Sequence, residues 1–144
     1  MRIQTLSFSD SVPYGHLEHA ARGIVVQIRL SADLLVAWDV DARVDCGSSF
    51  CVFGRQWADL LGLDWESGEP LEISTAAGLF YAHRHEVTIQ LLDFKWTAWV
   101  AFAEWDTVAP SPARDVLGLN GFFDRFLVGI DDTAEMLYLE PRFS

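Results

Sequence analysis

The chain has 144 residues, a length that predicts one domain with a single hydrophobic core. Apolar residues make up 51% of it and aromatic residues 13%, which is enough to pack such a core and argues against a disordered chain. Ten basic residues stand against 21 acidic ones, so the formal charge of -11 repels phosphate backbones and anionic lipid surfaces. We therefore expect neither nucleic acid nor a membrane as a partner.

The cellular location that the sequence predicts agrees with its cysteine content. No apolar run approaches the roughly 18 to 20 residues of a membrane span, and residues 1–10 have neither the basic region nor the apolar stretch of a signal peptide. The sequence therefore predicts a cytoplasmic protein with reduced thiols. Cys46 and Cys51 are expected to be buried thiols that act as small apolar groups, and a disulfide between them is the alternative.

Alternating apolar and polar residues predict strands along most of the chain. Residues 1–22 are only weakly patterned, whereas residues 23–144 are predicted to form the single domain. The predicted strands are 24–30, 36–44, 71–74, 81–91, 96–103, 127–131 and 136–139. Strands at this spacing indicate a mainly β sandwich or barrel.

Two short helices are predicted between the strands. One face of a helix over residues 55–61 is apolar and consists of Phe53, Trp57, Leu60 and Leu61. Gly62 fits the C-terminal cap of this helix. Asn120 is a suitable N-cap for a second helix over residues 121–126.

A polar turn follows the strand 36–44. It reads Asp45-Cys46-Gly47-Ser48 and is followed by apolar residues from position 50 to 53. This segment resembles the active-site loop of the retropepsin-like aspartic proteases, in which an apolar strand runs into Asp, Thr or Ser, Gly, and Ala or Ser. Such loops, held by rigid strands, are favoured places for chemistry.

Three further segments follow in the order that this family keeps. The helix 55–61 is similar to the helix of bacterial and cellular members, and the hairpin 71–91 stands where the family has its mobile flap. Leu117 and Gly118 resemble the family's second signature, an apolar pair and Gly before a Phe-rich segment. The resemblance implies a mainly β, closed barrel-like fold of the retropepsin (acid protease) type, with two short helices and a flap hairpin.

The resemblance also implies a mechanism. Asp45 would be catalytic, while Ala77, Gly78 and Leu79 of the flap would cover a peptide substrate. The chemistry needs two carboxylates that share one proton, and the chain offers one such loop. Activity would therefore require a homodimer with Asp45 of each chain at a two-fold axis, and neither a cofactor nor a metal.

The neighbours of Asp45 have expected roles in the same loop. Gly47 would bring its N–H near the carboxylate, and Ser48 would hydrogen-bond the outer carboxylate oxygen. Cys46 departs from the family, which usually has Thr or Ser there with a hydroxyl that ties two subunits together, and a thiol is a weaker donor. The leading interpretation is an aspartic endopeptidase; the alternative, favoured by Cys46, is a non-catalytic domain that binds a peptide or protein partner.

Two histidines raise the question of a metal site. His83 and His85 project from one face of a predicted strand, and this spacing is able to bind a transition metal. No third ligand is evident in the sequence. We therefore expect exposed histidines on one arm of the hairpin and no metal.

Overall fold

Short alternating segments build a mainly β chain. The computed structural model describes residues 6–15, 23–33, 35–75, 78–104 and 115–142. Its strands are β1 Asp10–Pro13, β2 Val25–Ser31, β3 Ala37–Val44, β4 Val52–Gly54, β5 Glu69–Thr75, β6 Gly78–Leu91, β7 Phe94–Ala103, β8 Val116–Leu117, β9 Phe126–Asp131 and β10 Met136–Pro141. The helix α1 spans Arg55–Leu60, and a 3₁₀ turn spans Trp65–Ser67. Within these ranges, no helix is long and apolar enough to cross a bilayer.

Most strands belong to one seven-stranded sheet. Its order is β2-β3-β8-β4-β7-β6-β5, and β2 pairs with β6 as well as with β3. The short strand β8 lies between β3 and β4, parallel to β3 and antiparallel to β4. The remaining strands form a three-stranded sheet of order β1-β10-β9. Both ends of the described chain therefore meet in the smaller sheet.

The main core follows the predicted alternation. Val87, Ile89 and Leu91 of β6 are all buried, as their shared face requires. The largest fully buried side chains include three aromatic residues, namely Phe53, Phe102 and Phe122. The opposite face of β4, β6 and β7 carries a second cluster, which consists of Val52, Ala82, Ala101 and Ala103 with Phe50, Leu71 and Ile73 packed against them.

The second predicted helix is wrong. Residues 121–125 form successive turns, and Phe126 already begins β9. Gly121 has φ +106°, which a right-handed helix does not allow. Its carbonyl accepts the Trp96 indole N–H at 2.7 Å, and its N–H donates to Asp124 Oδ1 at 3.0 Å. These bonds hold the segment as turns, so of the two predicted helices only the one at 55–61 is present.

The prediction of exposed histidines is also wrong. His85 is buried and His83 is partly buried, because the 3₁₀ turn and the residue after it lie over β6. The His83 Nδ1 atom lies 3.0 Å from the Gly68 carbonyl oxygen, and His85 Nε2 lies 3.1 Å from that of Trp65. Both rings therefore hold the base of the β5–β6 hairpin against this turn.

Opposite faces of β6 should respond differently to charge. Ile89→Asp places an unpaired carboxylate in the core and should lower the free energy of unfolding by about 3 to 5 kcal/mol. Thr88→Asp is the matched control on the half-buried face and should cost less than about 1 kcal/mol. Urea denaturation measures both values, and equal costs would contradict the inward orientation of Ile89.

Candidate active site

The loop between β3 and β4 folds back around the carboxylate of Asp45. Oδ1 of Asp45 accepts the Gly47 N–H at 2.8 Å, and its backbone carbonyl accepts the Ser48 N–H at 3.2 Å. The N–H of Asp45 donates to the Leu117 carbonyl at 3.0 Å. Asp45 is thus a half-buried carboxylate with a backbone donor at one oxygen, held against β8.

Ser48 does not make its expected hydrogen bond. Its hydroxyl donates to the carbonyl of Phe50 at 2.7 Å and not to the carboxylate of Asp45. A Ser side chain readily bonds a backbone group two residues away, which closes the turn locally. Among the described residues, the Gly47 N–H therefore remains the hydrogen-bond donor to this carboxylate.

The segment after β8 crosses the loop and is bonded to it. The N–H groups of Leu119 and Asn120 donate to the carbonyls of Ser48 and Ser49 at 2.8 and 3.0 Å. A Cβ on Gly118 would lie 2.6 Å from the Ser48 carbonyl oxygen and closer still to a second backbone carbonyl. Only glycine allows this approach of the two segments. The structure thus brings Leu117 and Gly118 beside Asp45.

The two cysteines occupy different surroundings. Cys51 is fully buried, and its sulfur accepts the Gly118 N–H at 3.3 Å. Burial raises the pKa of the Cys51 thiol to about 12. Cys46 is exposed instead, so the prediction of two buried thiols is wrong for this residue. Both thiols are free, which excludes the alternative disulfide in this structure.

Gly78 and Leu79 of the predicted flap begin β6, at the end of the β5–β6 hairpin away from His83 and His85. Gly78 has φ +132°, a backbone conformation that favours glycine, and Leu79 is exposed. Ala77 lies outside the described residues. No group of three or more His, Cys, Asp or Glu side chains in the described ranges is arranged to hold a metal ion.

A cavity borders the far end of the Asp45 loop, and sequence reasoning missed it. Its volume is about 290 Å³. Residues from the loop, β6, β7 and the turns after β8 line it, and they include Phe50, Arg84, Trp99, Asn120, Asp124 and Arg125. The alternation of β6 and β7 places Arg84 and Trp99 on the face opposite the main core, but no sequence signal joins them to residues 120–125.

Comparisons with known proteins support the fold. No protein-family model and no curated protein matches the sequence. Among solved structures, the chain is similar to the crystal structure of a retropepsin-like aspartic protease from Rickettsia conorii, with a TM-score of 0.62 and 16% sequence identity. The match covers 90% of this chain and 98% of that chain. The likeness is one of fold, and it agrees with the family that the sequence resembles.

The close approach at Gly118 can be tested by adding one methyl group. In Gly118→Ala the new Cβ meets backbone carbonyls that cannot rotate away, so the free energy of unfolding should fall by about 3 kcal/mol. Gly15→Ala is the control, because a Cβ there has no heavy atom within 4 Å, and its effect should stay within about 0.5 kcal/mol. Thermal unfolding measures both, and a neutral Gly118→Ala would contradict this packing.

The thiols should differ sharply in reactivity. A disulfide reagent at about pH 8 needs an accessible thiolate, so it should label Cys46 quickly in the folded chain. Cys51, whose pKa is raised to about 12, should be labelled only after denaturation. Mass spectrometry of digested samples identifies the labelled residue. Rapid labelling of folded Cys46→Ala would show that Cys51 is accessible to the reagent and not buried.

Proposed function

We propose that the protein is an aspartic peptidase of the retropepsin type and works as a homodimer with one Asp45 from each chain. The observation that carries the proposal is the hydrogen-bonded loop of Asp45 against β8, in a fold similar to a retropepsin-like aspartic protease. Because one chain supplies one such carboxylate, a second chain would complete the site across a two-fold axis. The substrate class is an extended peptide.

In the proposed mechanism the two carboxylates share one proton, since like charges a few ångströms apart cannot both ionise. The ionised carboxylate accepts a proton from water, whose oxygen attacks the peptide carbonyl, while the protonated one donates its proton to the carbonyl oxygen. Breakdown of the resulting tetrahedral diol transfers a proton to the leaving nitrogen and breaks the C–N bond. The Gly47 N–H orients each carboxylate, and no cofactor or acyl-enzyme takes part.

Three further parts belong to this proposal. The pairing of β2 with both β3 and β6 supports closure of the larger sheet into a barrel. Residues 77–79 would act as a flap that covers the peptide and excludes water. A cytoplasmic location is supported by the free thiols of Cys46 and Cys51, which reducing compartments preserve.

A second function is favoured by a specific observation. Cys46 replaces the usual hydroxyl residue, and the Ser48 hydroxyl bonds a backbone carbonyl and not the carboxylate. Both features weaken the hydrogen-bond network expected around a working pair of carboxylates. The alternative is a non-catalytic domain that binds a peptide or protein partner.

Replacing Asp45 decides between these functions. Asp45→Asn should lower hydrolysis of a diverse peptide library by at least about a hundredfold, because an amide cannot exchange the proton that activates water. Asp41→Asn, on an exposed position of β3, is the matched control and should keep full activity. Mass spectrometry of the products from acidic to neutral pH measures cleavage. Hydrolysis that survives Asp45→Asn would sink the aspartic mechanism, and its absence in the unaltered protein would favour the binding domain.

The subunit contact can be tested at Cys46. Light scattering should reveal a particle of about twice the 16.2 kDa chain mass as concentration rises. Cys46→Thr restores a hydroxyl donor and should lower the dimer dissociation constant about threefold to tenfold. Cys46→Ala, which offers no donor, should not. A chain that stays monomeric in all three forms would leave Asp45 without its second carboxylate.

A further inference from the structure

Arg84 occupies an unusual place for a cation. It lies within β6, where its register partners are Glu69 on β5 and Ala101 on β7. Its side chain is on the face of the second cluster and is only 26% exposed. The guanidinium carbon lies 5.7 Å from the centre of the Phe50 ring. A positive charge is thus held against an aromatic and partly apolar surface.

The hydrogen-bond donors of Arg84 are poorly satisfied. Its Nε is buried and has no hydrogen-bond partner among the described residues. Its Nη1 lies 3.7 Å from Glu69 Oε1, which is too long for a hydrogen bond, and the Glu69 side chain is 65% exposed. A buried donor without a partner costs free energy and calls for an explanation. An anionic ligand at the exposed part of the side chain would balance its charge.

Arg84 is one of the residues that line the cavity of about 290 Å³. Trp99, which is half exposed, and Phe50 provide aromatic walls, and Asn120 adds an amide. Arg125 also lines the cavity, but its Nε lies 3.6 Å from Asp124 Oδ1, so part of its charge is balanced locally. Two arginines and one acidic side chain, Asp124, thus line the cavity, so its lining carries a net positive charge in a chain whose formal charge is -11.

We propose that this cavity binds the carboxylate of an acidic side chain on a bound peptide. A carboxylate accepts two parallel hydrogen bonds from a guanidinium, which suits Arg84 as a residue that lines the cavity. The cavity is small and matches one side chain better than a larger ligand. The aromatic walls would pack against the methylene groups of Glu.

The peptide is inferred from where the cavity lies. Phe50 ends the loop that Asp45 begins, and the same ring packs on the second cluster together with Leu71 and Ile73 of the β5–β6 hairpin. The cavity therefore borders both the candidate catalytic loop and the hairpin proposed as the flap. This inference rests on the proposed function in that it takes the ligand to be a peptide, bound with or without cleavage.

The test compares Glu with Gln at otherwise identical positions. Asp45→Asn protein is applied to capped hexapeptides that each contain one Glu, and to twins with Gln at that position, and the tightest pairs are then measured by calorimetry. Glu peptides should bind about tenfold more tightly than their twins. Adding Arg84→Gln should remove the difference, whereas adding Arg29→Gln, at an exposed arginine paired with Asp39, should keep it.

Several results would overturn the inference. Equal binding of the Glu and Gln twins with Arg84 intact would overturn it, and this comparison does not require the Arg84→Gln variant to fold. A Glu preference that survives Arg84→Gln, or an absence of peptide binding, would also overturn the inference. Displacement of the Glu peptides by free glutarate at equal concentration would assign the cavity to a small carboxylic acid instead. Asp45-dependent hydrolysis without a Glu preference refutes this inference alone, whereas a Glu preference without hydrolysis refutes the peptidase alone.

Discussion

The contact between β8 and the Asp45 loop is the constraint on which the rest of the structure depends. Buried backbone groups must be paired, and β8 pairs those of β3 on one side and β4 on the other. Gly118 then passes so close to the loop carbonyls that no side chain fits. This passage fixes the path of residues 45–50, and thereby the position of the carboxylate of Asp45.

The same contact organises the surroundings of the loop. The Cys51 sulfur accepts the Gly118 N–H within the main core, and the Asp45 N–H donates to the Leu117 carbonyl. Both ends of the loop are therefore anchored to the same short segment of the chain. Phe50, between these anchors, packs on the opposite face of the sheet against the second cluster. One short strand therefore positions both the candidate catalytic carboxylate and the aromatic wall of the Arg84 cavity.

Sequence periodicity was sufficient to predict the strands that are long enough to show several repeats of the alternation. It predicted β2, β3, β6 and β7, and the buried face of Ile89, but β4 and β8 are too short to show a period. The burial of His85 depends on a 3₁₀ turn that returns over β6, which is a tertiary effect. The hydrogen bond from the Ser48 hydroxyl to the Phe50 carbonyl, and the lack of a partner for Arg84 Nε among the described residues, likewise depend on distances between residues, which a sequence does not contain.

The two candidate sites differ in what a single chain can do. Hydrolysis by paired carboxylates requires two copies of Asp45, whereas the Arg84 cavity is built from one chain. A two-fold dimer would hold two such cavities, one on either side of the paired carboxylates, while an extended peptide has one direction. The two cavities would therefore receive side chains from opposite ends of the same peptide. Because one chain supplies these lining residues, recognition of acidic residues would not depend on dimer formation.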